Sequence, residues 1–123
     1  MINIAEIRNP YVVAAIAVLQ RTEPITIEEV RAAVSSVCDI AEDVICQRRN
    51  RRYHVIIARH LAWKILCDYG HKITLSKIGL AFGGYDHTSV MHGARIIGDR
   101  IETDETIARL HQRVLNKLRL KTA

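Results

Sequence analysis

The sequence predicts an all-α fold, and three observations support that prediction. Apolar residues recur at spacings of three and four in several segments, as one face of an α-helix requires. No segment shows a convincing alternation of apolar and polar residues, which would mark a half-buried strand. The adjacent Gly83 and Gly84 separate two helical segments and supply the backbone freedom of a tight corner. We therefore expect five or six helices.

The N-terminal half of the chain contains several predicted helices. Residues 3–20 form the first, in which Pro10 is tolerated only near the start or at a kink. Thr26, followed by two glutamates, marks the start of the next, because acidic residues are favourable at the positive end of the helix dipole. Its apolar face carries Val30, Ala33, Val34 and Val37.

A short helix over residues 40–46 leads into a basic segment, Arg48–Arg52, which we place on a loop. A strong helix is predicted from Val55 to Cys67, and Gly70 is a favourable residue just beyond its end. Further helices are expected over residues 75–82 and from 87 to about 101.

The tail is predicted to be an amphipathic helix from residue 106 to 120. One side of it carries Ile107, Leu110, Val114 and Leu118. This side either docks onto its own domain or pairs with a partner helix. We divide the chain into an N-terminal helical extension (1–24), a central domain (25–105) and the C-terminal helix (106–123). The oligomeric state is left open between a monomer and a weak dimer through the terminal helices.

Composition indicates a globular chain with a basic surface. The 123 residues are 49% hydrophobic, which suffices for one core, and the net charge is +5. From Val44 to Tyr85 the only acidic residue is Asp68, whereas eight arginines and lysines lie there. A region of almost uniformly positive charge with acidic flanks is typical of a basic face that binds a polyanionic partner.

The same sequence predicts a cytoplasmic protein without a membrane partner. Cys38, Cys46 and Cys67 include no Cys-x-x-Cys pair, so they indicate neither a disulfide framework nor a zinc finger. The apolar run 11–19 is well below the ~20 residues that a bilayer span needs. It is also a poor signal peptide, because Glu6 precedes it and Pro10 opens it.

Residues 83–92, Gly-Gly-Tyr-Asp-His-Thr-Ser-Val-Met-His, are the most informative stretch. Asp86 is a preferred N-cap, so a helix begins directly after the glycine corner. Helix, sharp corner and polar first turn form the helix-turn-helix layout, whose second helix enters the DNA major groove. There an Asp can accept from cytosine, a His can donate to a purine and a Thr methyl can pack on thymine. The first-turn residues are Asp86, His87, Thr88 and Ser89.

The alternative for this stretch is that Asp86 only caps the helix and His87 is merely exposed. The basic segment favours the DNA reading, because four guanidinium groups within five residues repel one another unless counterions or phosphates neutralise them. A flexible arginine-rich loop can also reach into a narrow minor groove. The remaining alternatives for the loop are a solvated charge run or a targeting-like basic patch. Its members are Arg48, Arg49, Arg51 and Arg52.

Enzymatic readings find little support in the sequence. It contains no Gly-x-x-x-x-Gly-Lys-Ser/Thr, the motif of a P-loop. His87 and His92 are separated by about 140° around a helix and cannot share a metal. Ser89 with His92 lacks a nucleophile elbow. We therefore predict no catalytic residue, no metal site and no cofactor.

Residues 25–102 resemble the C-terminal DNA-binding domain (domain IV) of the bacterial replication initiator DnaA. The stretch Ile78–His92 is similar to that family's signature, in which Phe-Gly-Gly-Arg-Asp-His-Thr-Thr-Val is followed one residue later by His. The resemblance implies an all-α, TrpR-like helix-turn-helix domain, here as a stand-alone small protein, that recognises DnaA boxes in double-stranded DNA. It departs from the family at Tyr85, where an Arg is usual, so that one phosphate-seeking charge is lost. Ser76 replaces a usual Pro.

The resemblance also implies site residues. Asp86, His87 and Thr88 would read bases, and either Arg49 or Arg51 would enter the minor groove. Arg59, Lys64 and Ser89 would hold phosphates. We include His60, which forms a basic-polar pair with Arg59, and the two residues that open the helix before the corner, Leu75 and Ser76.

Two functions follow from the resemblance. In the first, the chain binds DnaA-box-like sites and regulates replication initiation, transcription or both without ATPase activity. In the second, it is a protein-interaction module that acts on the initiator or its regulators and binds DNA weakly. The Asp-His-Thr run and the basic loop favour the first, and the terminal helices favour the second.

Overall fold

The computed structural model describes residues 21–120 of the chain. Within this part the chain forms six helices and no strand, which confirms the all-α prediction. The predicted helix over residues 3–20 lies outside the described residues. The observed helices are α1 (Ile27–Cys38), α2 (Glu42–Ile45), α3 (Tyr53–Tyr69), α4 (Leu75–Ala81), α5 (His87–Thr103) and α6 (Glu105–Lys117).

Side-chain caps determine where several helices begin. The hydroxyl oxygen of Thr26 accepts from the Glu29 N–H at 3.2 Å, as its position in the sequence predicts. Thr74 accepts in the same way from the Lys77 N–H at 3.2 Å and starts α4. Asp104 caps α6 by accepting from two backbone N–H groups of its first turn. These contacts satisfy amide groups that a helix start leaves unpaired.

Helix ends differ from the predicted ones by a few residues. Helix α3 begins two residues earlier and ends two residues later than predicted, because three of these four added residues are exposed and add nothing to an apolar pattern. Helix α6 ends at Lys117, three residues earlier than predicted. The reason is local, since Arg119 adopts a left-handed conformation with φ 57° and the Leu120 N–H bonds back to the Leu115 carbonyl.

The core is built around α3, which packs against α1 on one side and α5 on the other. Trp63 of α3 is 2% exposed and is the largest buried side chain. Phe82 contacts it edge-to-face, with ring centroids 6.4 Å apart, and Tyr85 does so at 5.0 Å. Because Phe82 and Tyr85 flank the glycine corner, the core itself fixes the corner's position.

The C-terminal helix α6 docks onto the same core. Its Val114 and Leu115, together with Leu118 just beyond it, are buried with residues of α1 and α3. Near the two limits of the described residues, Arg21 donates from its backbone N–H to the Arg119 carbonyl at 3.2 Å. Of the two alternatives for the tail, the structure therefore shows docking onto its own domain. None of the helices over residues 21–120 has the length and apolar character needed to cross a membrane.

Two glycines of α5 provide a matched test of this packing. A Cβ at Gly93 would lie 2.7 Å from the Trp63 ring and 2.8 Å from His60, whereas a Cβ at Gly98 would meet only the flexible Lys64 side chain at 3.4 Å. We expect Gly93→Ala to lower the free energy of unfolding by about 1–3 kcal/mol through overpacking. Gly98→Ala should raise it by about 0.5–1 kcal/mol through helix propensity. Urea unfolding measures both, and equal changes would contradict the close α3–α5 contact.

Candidate nucleic-acid interface

The glycine corner is tight because two glycines adopt left-handed backbone angles. Gly83 has φ 113° and Gly84 has φ 87°, which residues with a Cβ rarely adopt. The Gly79 carbonyl accepts from the N–H groups of both Gly84 and Tyr85, at 3.1 and 2.9 Å. A Cβ on Gly83 would lie 2.5 Å from the Cys46 carbonyl oxygen. The corner therefore lies directly against the start of the loop between α2 and α3.

The first turn of α5 presents the predicted polar side chains to solvent. Asp86 is the N-cap, and its Oδ1 accepts from the Ser89 N–H at 2.8 Å. This hydrogen bond lowers the pKa of the Asp86 carboxyl, because it favours the charged form. Asp86, His87 and Thr88 are exposed, Ser89 is half-buried, and the buried Val90 anchors the turn. Asp86 thus caps the helix while its carboxylate remains accessible.

The basic loop, residues 46–52, contains turns and no helix, as the sequence predicts for Arg48–Arg52, and its four arginines are exposed. Its course is held by backbone and amide contacts. The Asn50 N–H donates to the Gln47 carbonyl at 2.9 Å, and the Arg52 N–H donates to Asn50 Oδ1 at 3.2 Å. The side chains of Arg49, Arg51 and Arg52 make no hydrogen bond or ion pair within residues 21–120, so their guanidinium groups are available to a ligand.

Arg59 is not on the surface, contrary to the prediction that it holds a phosphate. It is 3% exposed, and its Nε donates to the Ile45 carbonyl at 3.0 Å. Its Nη2 donates to the Gln47 carbonyl at 2.8 Å and to the Asn50 carbonyl at 3.4 Å. Burial lowers the pKa of the guanidinium, and charge-assisted bonds to the carbonyls offset that cost. Arg59 therefore supports the basic loop from beneath.

His60 and Lys64, the other two DNA contacts expected on α3, are both half-buried. His60 is half-buried and stacks on Trp63, with ring centroids 5.3 Å apart. Burial, aided by Arg59 and His92, lowers its pKa to about 4, so the imidazole is neutral at pH 7. Lys64 pairs with Asp68 at 2.9 Å and lies beside Gly98, about 16 Å along α5 from its first residue. Neither side chain offers a free charge beside the first turn of α5.

The two predicted residues at the start of α4 have different environments. Leu75 is half-buried and packs against the main core, whereas Ser76 is exposed. Ser76 is therefore the member of this pair whose side chain is free to meet a ligand. Within residues 21–120 no group of three or more His, Cys, Asp or Glu side chains is gathered as a metal site would require.

Tyr85 makes contacts with the basic loop that sequence reasoning missed. Its hydroxyl donates to the Arg48 carbonyl at 3.1 Å, and Arg48 Nη1 donates to the Gly84 carbonyl at 3.2 Å. The guanidinium carbons of Arg48 and Arg59 lie 5.4 and 5.3 Å from the centroid of the Tyr85 ring. The sequence reading treated Tyr85 only as a lost charge. The sequence offered one indication of these contacts, namely an aromatic residue directly before the N-cap Asp86.

Comparison with known proteins decides the family. Residues 27–97 match a family model described as the bacterial dnaA protein helix-turn-helix. The chain belongs to this family. Its relatives include the chromosomal replication initiator protein DnaA of Oenococcus oeni, which is 31% identical over 105 residues, or 85% of this chain and 23% of the relative. The DnaA of Ruegeria pomeroyi is 40% identical over 85 residues, or 68% of this chain and 18% of the relative.

The chain spans about a fifth of the length of these curated DnaA relatives. The matched region runs from the first residue of α1 into α5, and it includes the basic loop and the glycine corner. Helix α6 follows it, although α6 shares its core. In this DnaA-family chain the matched part therefore contains both the basic loop and the first turn of α5.

The lowered pKa of His60 has a consequence for stability. Between pH 6.5 and about 4 the unfolded chain binds a proton at this histidine and the folded chain does not, so stability falls as the pH falls. After allowance for partial exposure, we expect His60 to account for about 1–2 kcal/mol of the loss between pH 7 and 4.5. In His60→Gln this part of the loss should be absent.

Urea unfolding at pH 7 and pH 4.5 measures the loss of stability in the wild type and in His60→Gln. The difference between the two proteins isolates His60, because the other titrating groups are common to both. His54→Gln is the matched control, because His54 lies exposed on the same helix. The same loss of stability in the wild type and in both variants would contradict a neutral, buried His60.

Proposed function

We propose that this chain binds double-stranded DNA at DnaA-box-like sites, with α5 as the recognition helix in the major groove and the basic loop in the minor groove. Membership of the DnaA helix-turn-helix family supports DNA binding in the context of replication initiation. The observation that carries the proposal is that the basic loop contacts the glycine corner from which the recognition helix begins. Arg48 of the loop bonds the Gly84 carbonyl, and Gly83 lies against Cys46.

The recognition helix has the chemistry that base readout needs. Asp86 can accept from a cytosine amino group, His87 can donate to a purine acceptor, and the Thr88 methyl can pack on a thymine methyl. All three side chains are exposed at the helix start, where unpaired N–H groups and the helix dipole also favour a phosphate. Ser89, half-buried beside them, is the proposed phosphate contact of this turn.

The basic loop supplies the electrostatic part of binding. The guanidinium groups of Arg49, Arg51 and Arg52 are exposed, and a narrow minor groove attracts such groups by its negative potential. We propose Arg49 or Arg51 as the inserted residue. Arg59 acts from inside by holding the loop carbonyls, and Ser76 is a further surface contact.

We propose that the chain regulates replication initiation or transcription by occupying such sites. The exposed first turn of α5 and the exposed arginines of the basic loop support contact with DNA, so occupancy of such sites is the activity that we propose. The alternative, a module that binds the initiator or its regulators, relied on the terminal helices. The apolar side of α6 is buried in its own core, which leaves residues 1–20 as the remaining support for it.

Base readout predicts a selective effect of His87→Ala. Because the imidazole would contact a base edge, its loss should cost about 1–3 kcal/mol on a duplex with a DnaA box and little on a scrambled duplex. Fluorescence anisotropy titration at near-physiological salt measures both. The control is His71→Ala, since His71 lines a surface pocket together with Arg21 and Leu120. Equal losses on the two duplexes would contradict base readout by α5.

A different result is expected for Arg51→Ala. Loss of an arginine that neutralises phosphate charge should weaken binding to both duplexes and reduce the slope of log K against log salt by about 0.9. Arg109→Ala removes the same charge from α6, where Arg109 pairs with Glu105, and should leave the slope unchanged. If both variants shift the slope equally, net charge and not the basic loop governs binding.

A further inference from the structure

We propose that Tyr85 is a positioning residue for DNA recognition, which clamps the basic loop to the glycine corner and so fixes the distance between the loop and the recognition helix. This inference rests on the proposed function, because its purpose is to present two DNA-contacting elements together. Its structural part can be tested without DNA.

The clamp joins two backbone segments in both directions. Tyr85, on the corner, donates from its hydroxyl to the Arg48 carbonyl of the loop at 3.1 Å. Arg48 donates from its guanidinium to the Gly84 carbonyl of the corner at 3.2 Å. The side chain of each segment thus binds the backbone of the other. A movement of the loop away from the corner breaks both hydrogen bonds at once.

The Tyr85 ring adds contacts with two cations. The guanidinium carbons of Arg48 and Arg59 lie 5.4 and 5.3 Å from its centroid, within the range of cation–π attraction. Arg59 also bonds the carbonyls of Ile45 and Gln47, so the ring contacts the residue that supports the loop from beneath. The Trp63 ring meets Tyr85 edge-on at 5.0 Å and limits its rotation.

Such a clamp strengthens binding by ordering the loop in advance. A free loop must lose conformational freedom when it enters a groove, and a loop already held pays less of that cost. Tyr85 itself carries no charge that could neutralise a phosphate. Removal of the clamp should therefore weaken binding without changing its salt dependence, unlike the removal of a phosphate-contacting arginine.

Two variants separate the parts of the clamp. Tyr85→Phe removes the bond to the Arg48 carbonyl and keeps the ring, and Tyr85→Leu removes both. Tyr69→Phe is the matched control. It makes the same chemical change at the last residue of the 17-residue α3, whereas the basic loop precedes the first residue of that helix. Hydrogen exchange of peptides covering residues 46–52 measures loop opening in the free protein. Anisotropy on boxed and scrambled duplexes at several salt concentrations measures binding.

We expect loop exchange to rise about 3-fold in Tyr85→Phe and about 10-fold or more in Tyr85→Leu, as the loss of one hydrogen bond and then of the two cation–π contacts implies. Affinity for the boxed duplex should fall by similar factors, with the salt slope unchanged. Tyr69→Phe should match the wild type in all three measurements. Circular dichroism verifies that each variant is folded, and Tyr85→Phe keeps the test valid if Tyr85→Leu is not.

Unchanged loop exchange in a folded variant would overturn the clamp, and so would faster exchange with unchanged affinity for the boxed duplex. A salt slope reduced by about 0.9 would also overturn it, because Tyr85 would then act on phosphate binding. Failure of the proposed function looks different. In that case the wild type itself binds boxed and scrambled duplexes equally, while hydrogen exchange still decides whether Tyr85 holds the loop.

Discussion

The buried guanidinium of Arg59 is the interaction on which the outward-facing end of this domain depends. The residue is 3% exposed and donates to the carbonyl groups of Ile45, Gln47 and Asn50. A charge withdrawn from water needs such partners, because an uncompensated buried charge is strongly destabilising. The carbonyls at the end of α2 need donors as well, since a short helix leaves them unpaired. Each side satisfies the other, so the course of the basic loop follows from the position of α3.

The arginines of this region consequently have two different roles. Arg59 and Arg48 are bound to backbone carbonyls and lie against the Tyr85 ring, so they hold the loop in place. Arg49, Arg51 and Arg52 have no hydrogen bond or ion pair within residues 21–120 and face solvent. Concentrated positive charge is costly to order because like charges repel. Arg48 and Arg59 therefore hold the loop in one conformation, and the other three arginines provide its exposed positive charge.

The C-terminal helix α6 adds to the packing of the core at α1 and α3. Val114, Leu115 and Leu118 bury the tail in the core formed by α1 and α3, and Arg21 ties the start of the described chain to its end. The apolar stripe of an amphipathic helix predicts that this side is buried, but it does not identify the surface that buries it. For α6 that surface belongs to its own domain. The corner, the loop and the first turn of α5 keep their polar groups exposed.

The local features of this protein follow from short stretches of its sequence. The caps at Thr26 and Asp86, the glycine corner and the arginine-rich loop each depend on residues a few positions apart, whose backbone preferences are nearly independent of the rest of the fold. Two contacts could be seen only in the folded domain: Tyr85 bonds Arg48, 37 positions earlier in the chain, and Arg59 is buried. Spacing cannot encode contacts of this range, because they depend on how whole helices pack. The burial that follows from packing also sets whether a histidine or an arginine is free to meet a ligand.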